Sequence, residues 1–271
     1  MVPTINIDKM VEFLTGLLNT PSPTGDTDRA MAYVQAQFAA AGFPFTMQMT
    51  PKGALTGNWA GETDDKPRAL TAHVDTLGAM VQEIKENGRL HITQLGGWVW
   101  TSVEGEGVTI FASNGQTYRG TILPTTASIH AHTRQESTAV RTDKNTEVRI
   151  DAHTKNDKET RNLGIRVGDV IAFDPRVEVS EHGFIRSRHL DDKACVAAIY
   201  GAVAALLQAG KTPKQRVTFH ISNYEEVGHG AAAGFPEDLH DLLTVDMAVV
   251  APKQESDEYS VTICAKDAGG P

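Results

Sequence analysis

Four short segments of this chain carry imidazole and carboxylate side chains at places where a fold can gather them: His73-x-Asp75, Leu190-Asp191-Asp192-Lys193, Glu225-Glu226-x-Gly228 and Val245-Asp246. Such donors suit zinc, cobalt or manganese. Two ions about 3.5–4 Å apart need one carboxylate to bridge them and others arranged around it. The adjacent Glu225 and Glu226 add a constraint, because neighbours on an extended backbone face opposite sides and serve one site only if the chain turns. Gly228 makes that turn available. One glutamate can then bind metal while the other takes the proton from a water, which is the division of labour of metal-assisted hydrolysis.

Each segment alone has an ordinary structural explanation. His-x-Asp is a common spacing, an Asp-Asp pair ahead of a helix caps it and favours its dipole, and adjacent glutamates often lie on a solvated surface. The ordered set, with each member beside an expected strand end, is what points to a site. An open α/β sheet gathers distant residues at the carboxyl ends of its strands.

The elements that must position these residues follow from periodicity. Residues 7–18 and about 26–41 carry helical apolar stripes, the second closed by Gly42. Strands are expected at 43–49, 54–59 and 68–72, the last delivering His73 and Asp75. From about Gly78 to Gly183 short alternating runs separated by Gly-rich turns predict an all-β module of a small barrel kind, inserted into an α/β domain. The division expected is 1–77, 78–183 and 184–271. Within the module, 135–161 is the most polar stretch and is expected to contain an exposed loop. A strongly apolar helix is expected over 192–208, a strand over 216–222, and a last strand over 245–250 with Asp246 near its start.

Composition narrows the function classes. The 271 residues are 40% hydrophobic and carry a net charge of -9, which suits an ordinary globular core and argues against nucleic acid as a partner. No run approaches the roughly eighteen apolar residues of a membrane span, and no secretory signal is visible at the start. These features fit a soluble cytoplasmic protein. Cys195 and Cys264 form neither a disulfide framework nor a metal spacing and read as two buried thiols in a reducing compartment. Trp98 and Trp100 read as strand packing residues, and His130 and His132 as barrel or interface residues.

Taken together, Pro21-Ser22-Pro23-Thr24-Gly25, His73-Val74-Asp75, Arg188-His189-Leu190-Asp191-Asp192-Lys193, Glu225-Glu226-Val227-Gly228-His229-Gly230-Ala231 and Val245-Asp246 give the chain a resemblance. It resembles the M42 aminopeptidases, cytoplasmic enzymes that use two divalent metal ions and include glutamyl aminopeptidases and the tetrahedral TET peptidases. The resemblance implies an α/β, phosphorylase/hydrolase-like catalytic domain with a mixed sheet, interrupted by a small β-barrel through which homo-oligomers assemble. It implies His73, Asp191 and Asp246 as ligands of one metal, Asp191 bridging, and Glu226 as ligand of the second. Glu225 would be the general base, Asp75 would orient His73, and the substrates would be peptides. The related M20 deacylases share the His-x-Asp and Glu-Glu signals, but their extra domain follows the glutamates rather than separating His73 from Asp191.

Members of the family continue past a segment like Lys266-Asp267-Ala268-Gly269-Gly270-Pro271 to a final histidine ligand. Neither His229 nor His240 matches that ligand in context. The expectation is therefore an aminopeptidase of this type or a fragment of one, with a catalytically silent assembly protein and an M20-like enzyme acting on N-acyl amino acids as the alternatives.

Overall fold

The computed structural model describes residues 2–266; most of the Lys266–Pro271 segment lies outside the described residues. In chain order the first part comprises α1 (Ile7–Leu18), α2 (Asp28–Ala40), β1 (Gln48–Met49), β2 (Leu55–Trp59) and β3 (Thr63–His73). The middle part comprises β4 (Gly78–Ile84), β5 (Leu90–Leu95), β6 (Gly107–Phe111), β7 (Thr117–Pro124), α3 (Arg134–Ser137), β8 (Thr146–Ile150), α4 (Asp157–Asn162) and β9 (Val170–Phe173). A small hairpin, β10 (Glu178–Val179) and β11 (Ile185–Arg186), leads to α5 (Leu190–Gln208), β12 (Gln215–Ser222) and β13 (Asp241–Thr244).

The apolar stripes of α1 and α2 do what their period predicts. Phe13, Leu14, Leu17, Met31, Val34 and Phe38 pack with Val196, Ile199 and Val203 of α5 against Leu55, Phe219 and Ile221 of the sheet. Phe13 and Tyr200 stack with centroids 4.3 Å apart, a contact contributing roughly 1 kcal/mol beyond the area it buries. The sheet is mixed, in the order β1-β2-β12-β3-β13. β12 runs antiparallel to β2 and parallel to β3, and β13 runs parallel to β3.

The middle part closes into a barrel of order β4-β5-β8-β7-β6-β9, filled by Val81, Ile92, Val108, Ile110, Ile122, Val148 and Ile171. The α/β fold with an inserted β-barrel is thus present. The exposed loop expected within 135–161 lies around residues 138–142, and the stretch also holds β8, paired with β5 and β7. Its polar look hides an alternation of buried Thr146, Val148 and Ile150 around Glu147, and Glu147 is itself buried, held by Lys85 and Arg89.

Other local readings are also revised. Trp98 and Trp100 lie in a loop and a following turn rather than a strand, and they pack edge-to-face with Trp98 against Phe173. His130 and His132 lie in turns between β7 and α3, outside the barrel strands. Cys195 is half-buried and Cys264 is exposed, so the two thiols do not share a buried setting. No described helix is long and apolar enough to cross a membrane.

Glu147 supplies a test of the barrel. Burial works against its charge, yet Lys85 and Arg89 hold its carboxyl below the usual range. A depressed folded pKa means stabilisation present above the unfolded value of about 4.3 and lost as pH falls through the folded value. Glu147→Gln is expected to cost about 1–3 kcal/mol at pH 7. The gap between wild type and variant should shrink toward pH 3 in urea denaturation.

Candidate metal centre

Three parallel strands bring the site together. The register pairs Ser222 of β12 with His73 of β3, and Thr244 of β13 with Thr71. Continuing that register by two residues sets Asp246 beside His73. The last strand is therefore displaced from the expected 245–250. Its position is fixed by pairing with Arg68–Thr71 and by the Arg68–Asp241 ion pair of 3.2 Å, not by the apolar run that follows. Asp246 stands just beyond a strand's carboxyl end rather than near its start, the place from which it can reach the site.

Asp75 is the hub. Its side chain is fully buried and accepts hydrogen bonds from the Thr24 hydroxyl at 2.8 Å and from the backbone N–H groups of Glu225 and Glu226 at 3.2 and 3.3 Å. Its Oδ1 also lies 3.4 Å from His73 Nδ1. Burial alone would raise this carboxyl, but His73, ahead of Thr24 and the Glu225 amide, holds it below the usual range.

The adjacent glutamates do sit on a turn. Residues Glu225–Val227 form one turn of 3-10 helix, bracketed by left-handed Tyr224 and Gly228 at φ of 69° and 84°. Glycine adopts that conformation without a Cβ clash.

His73 Nδ1 lies 2.9 Å from the Asp75 carbonyl oxygen. A carbonyl only accepts, so Nδ1 carries the proton and Nε2 of the neutral ring offers its lone pair. Three carboxylates face that Nε2: Asp191 Oδ1 at 3.2 Å, Glu225 Oε2 at 3.5 Å and Asp246 Oδ2 at 4.0 Å. Burial opposes charge on the ring, yet the carboxylates of Asp191 and Asp75 beside it raise its pKa to about 11, so a second proton and a cation would compete for Nε2. Burial pushes Glu226 up to about 7, with Asp191 adding to it, and it raises Glu225 as well.

One participant was not expected. Asp192, read as half of a helix cap, is fully buried; its Oδ2 accepts the His73 backbone N–H at 3.0 Å. Its carboxyl is raised to about 8, first by burial, with Asp246 adding. Ligand atoms of His73, Asp192 and Asp246 also lie within 4.8 Å of one another. Asp191 and Asp192 thus both border the same space. Asp191 is the more open of the two, with Oδ1 at Nε2, whereas Asp192 has one oxygen committed to the strand backbone. The only sequence signal for Asp192 was its place beside Asp191.

These donors fit a divalent cation. His73 Nε2 and Asp192 Oδ1 are buried side-chain atoms with no hydrogen-bond partner, and such orphans are costly unless something else satisfies them. Burial first and neighbouring carboxylates second raise the pKa values of Asp192, Glu225 and Glu226, and a cation would relieve both.

The M42 glutamyl aminopeptidase family description matches residues 53–271. YhfE of Bacillus subtilis (strain 168), which carries an aminopeptidase name, is 41% identical over 266 residues, covering 98% of this chain and 76% of the relative. The chain belongs to the M42 family. A lysyl aminopeptidase of Pyrococcus furiosus is 24% identical over 71% of this chain and 53% of its own length. Among solved M42-like folds, a TET aminopeptidase from a marine-sediment Thaumarchaeota archaeon superimposes with a TM-score of 0.73 at 21% identity, covering 82% of this chain and 60% of that one. An aminopeptidase from Desulfurococcus kamchatkensis gives 0.76 at 20% identity over 93% and 66%. This M42 chain therefore spans between about half and three quarters of these relatives' lengths.

Removing the hub should cost more than removing a rim group. Asp75→Ala leaves buried donors without an acceptor and is expected to lose about 3–5 kcal/mol. Glu225→Gln, at a position open to solvent, should stay within about 0.5 kcal/mol. Urea denaturation at pH 7 measures both.

Proposed function

We propose that this chain is the metal-binding body of an aminopeptidase that removes N-terminal residues from peptides. The observation that carries this reading is the His73 ring with its Nε2 unpartnered and Asp191, Glu225 and Asp246 around it within 4.0 Å. Membership of the M42 family and the aminopeptidase names of its relatives support it.

His73, Asp191 and Asp246 would hold one ion and Glu226 would contribute to a second, with Asp191 shared. Zinc or cobalt, or manganese, suits this set. Divalent ions supply Lewis acidity toward a water and a peptide carbonyl when bound. The protein's own groups do the rest. Asp75 fixes the His73 ring through Nδ1 and, by gripping both amides of the Glu225–Glu226 turn, sets that turn against the histidine. Glu225 accepts the proton of the attacking water and returns it to the leaving amine. Burial raises its carboxyl above the ordinary value, which favours holding that proton between the two steps.

Assembly into homo-oligomers through the barrel and a cytoplasmic location belong to the same reading. A TET1 peptidase of Pyrococcus horikoshii assembles into a tetrahedron or a large octahedral shell, which supports assembly here.

Hydrolysis of a panel of aminoacyl-anilides with added cobalt or zinc tests the activity. Cleavage should require metal, spare N-acylated analogues, and fall about 10²–10⁴-fold in Glu225→Gln while metal binding persists. Metal-dependent cleavage of N-acyl amino acids alone would refute the aminopeptidase. A folded, metal-loaded wild type no more active than the variant would leave a silent assembly protein.

A further inference from the structure

Lys193 follows the two aspartates of the site, yet it points away from them. It is fully buried, and its Nζ donates to the carbonyls of Leu17 at 3.0 Å and Thr20 at 2.7 Å. A buried ammonium is costly to hold with neutral acceptors alone, and an apolar side chain of similar length would fill the same space. The position therefore calls for a role beyond packing.

The Leu17 carbonyl lies in the last turn of α1, which has no basic residue of its own, and the Thr20 carbonyl lies two residues past the helix end. A cation there is favoured by the helix dipole. Lys193 provides it from another element, tying the start of α5 to the segment that leaves α1.

That segment runs straight to the site. Pro21 and Pro23 stiffen it by fixing φ. The Ser22 hydroxyl donates to the Val74 carbonyl at 2.7 Å, and the backbone of Ser22 accepts from Thr76 N–H at 2.9 Å. Thr24 then donates its hydroxyl to Asp75 Oδ2 at 2.8 Å and its N–H to the Thr76 carbonyl at 3.1 Å. Residues 22–24 thus grip residues 74–76 from both sides, one step from His73.

We propose that Lys193 is a positioning residue for the metal centre, acting through a clamp formed by Thr20–Thr24. Asp191 and Asp192 ride on α5, whereas His73 and Asp75 ride on the end of β3. Lys193 links the two carriers by way of the clamp and so fixes the spacing between imidazole and carboxylates. The inference rests on the metal reading above.

Cobalt(II) titration followed by visible absorption and equilibrium dialysis tests it. Lys193→Met is expected to weaken cobalt binding about tenfold or more and to alter the absorption bands, as expected for supporting groups of a metal site. Thr24→Val should do the same, Thr24→Ser should restore wild-type behaviour, and the double variant K193M/T24V should be little worse than the worse single one. Wild-type affinity and spectrum in K193M, or additive losses in the double variant, would overturn the clamp. If K193M does not fold, Thr24→Val and Ser22→Ala decide: unchanged affinity in both overturns it, and a loss in either supports it. A wild-type chain that takes up no cobalt removes the metal reading and the clamp together. Wild-type uptake with unchanged variants removes the clamp alone.

Discussion

A carboxylate sealed from water with three donors aimed at it is a fixed point, and Asp75 is that point here. Its donors come from two separate stretches, Thr24 after the first helix and the two amides of the Glu225–Glu226 turn after β12, with the His73 ring alongside. Thr24 lies in no helix and the glutamates in a single 3-10 turn, so the long elements do not hold them there unaided. Charge-assisted hydrogen bonds in a dry setting are shorter and stronger than neutral ones. A single buried anion therefore sets the relative placement of segments far apart in the chain.

The crowding around His73 is the counterpart of that order. Asp191, Asp192, Glu225, Glu226 and Asp246 place negative charge in a small, partly dry volume, and most of the resolved shifts among them are upward. Asp75 is held down, by His73 first and then by the Thr24 hydroxyl and the Glu225 amide. Two kinds of carboxylate thus coexist within one site. One is held by the protein's own donors and serves the architecture; the others crowd a small volume that offers donors suited to a cation.

Much of this could be read in the residues. The helical stripes of α1 and α2, the strand ending in His73, the turn demanded by Glu225-Glu226 and the inserted barrel all follow from local patterns, because hydrophobic period and glycine position report backbone geometry directly. What local pattern could not show were roles created by long-range contact. Asp192 looks like a cap residue until the His73 amide is seen against it, and Lys193 looks like a solvated helix residue until the end of α1 packs over it. β8 hid within a polar stretch because a buried Glu147 breaks the apolar alternation. The last strand starts four residues earlier than expected because its register is set by Arg68 and Pro67 on the neighbouring strand.

The barrel enters and leaves the chain through neighbouring strands. β4 begins at Gly78, five residues after His73, and β9 ends at Phe173; Gly78 and Ala172 are directly paired across them. Paired residues in an antiparallel ladder lie only about 5 Å apart. As a chain path the barrel is therefore two adjacent leads, with side contacts such as Arg188 to Glu106 and Arg29 over Phe111 added to them. Loops and turns far from those leads can lengthen, shorten or change character without altering the gap that the α/β part must bridge. Such a socket would let relatives exchange the outward face of the barrel while inheriting the same chemistry beneath it.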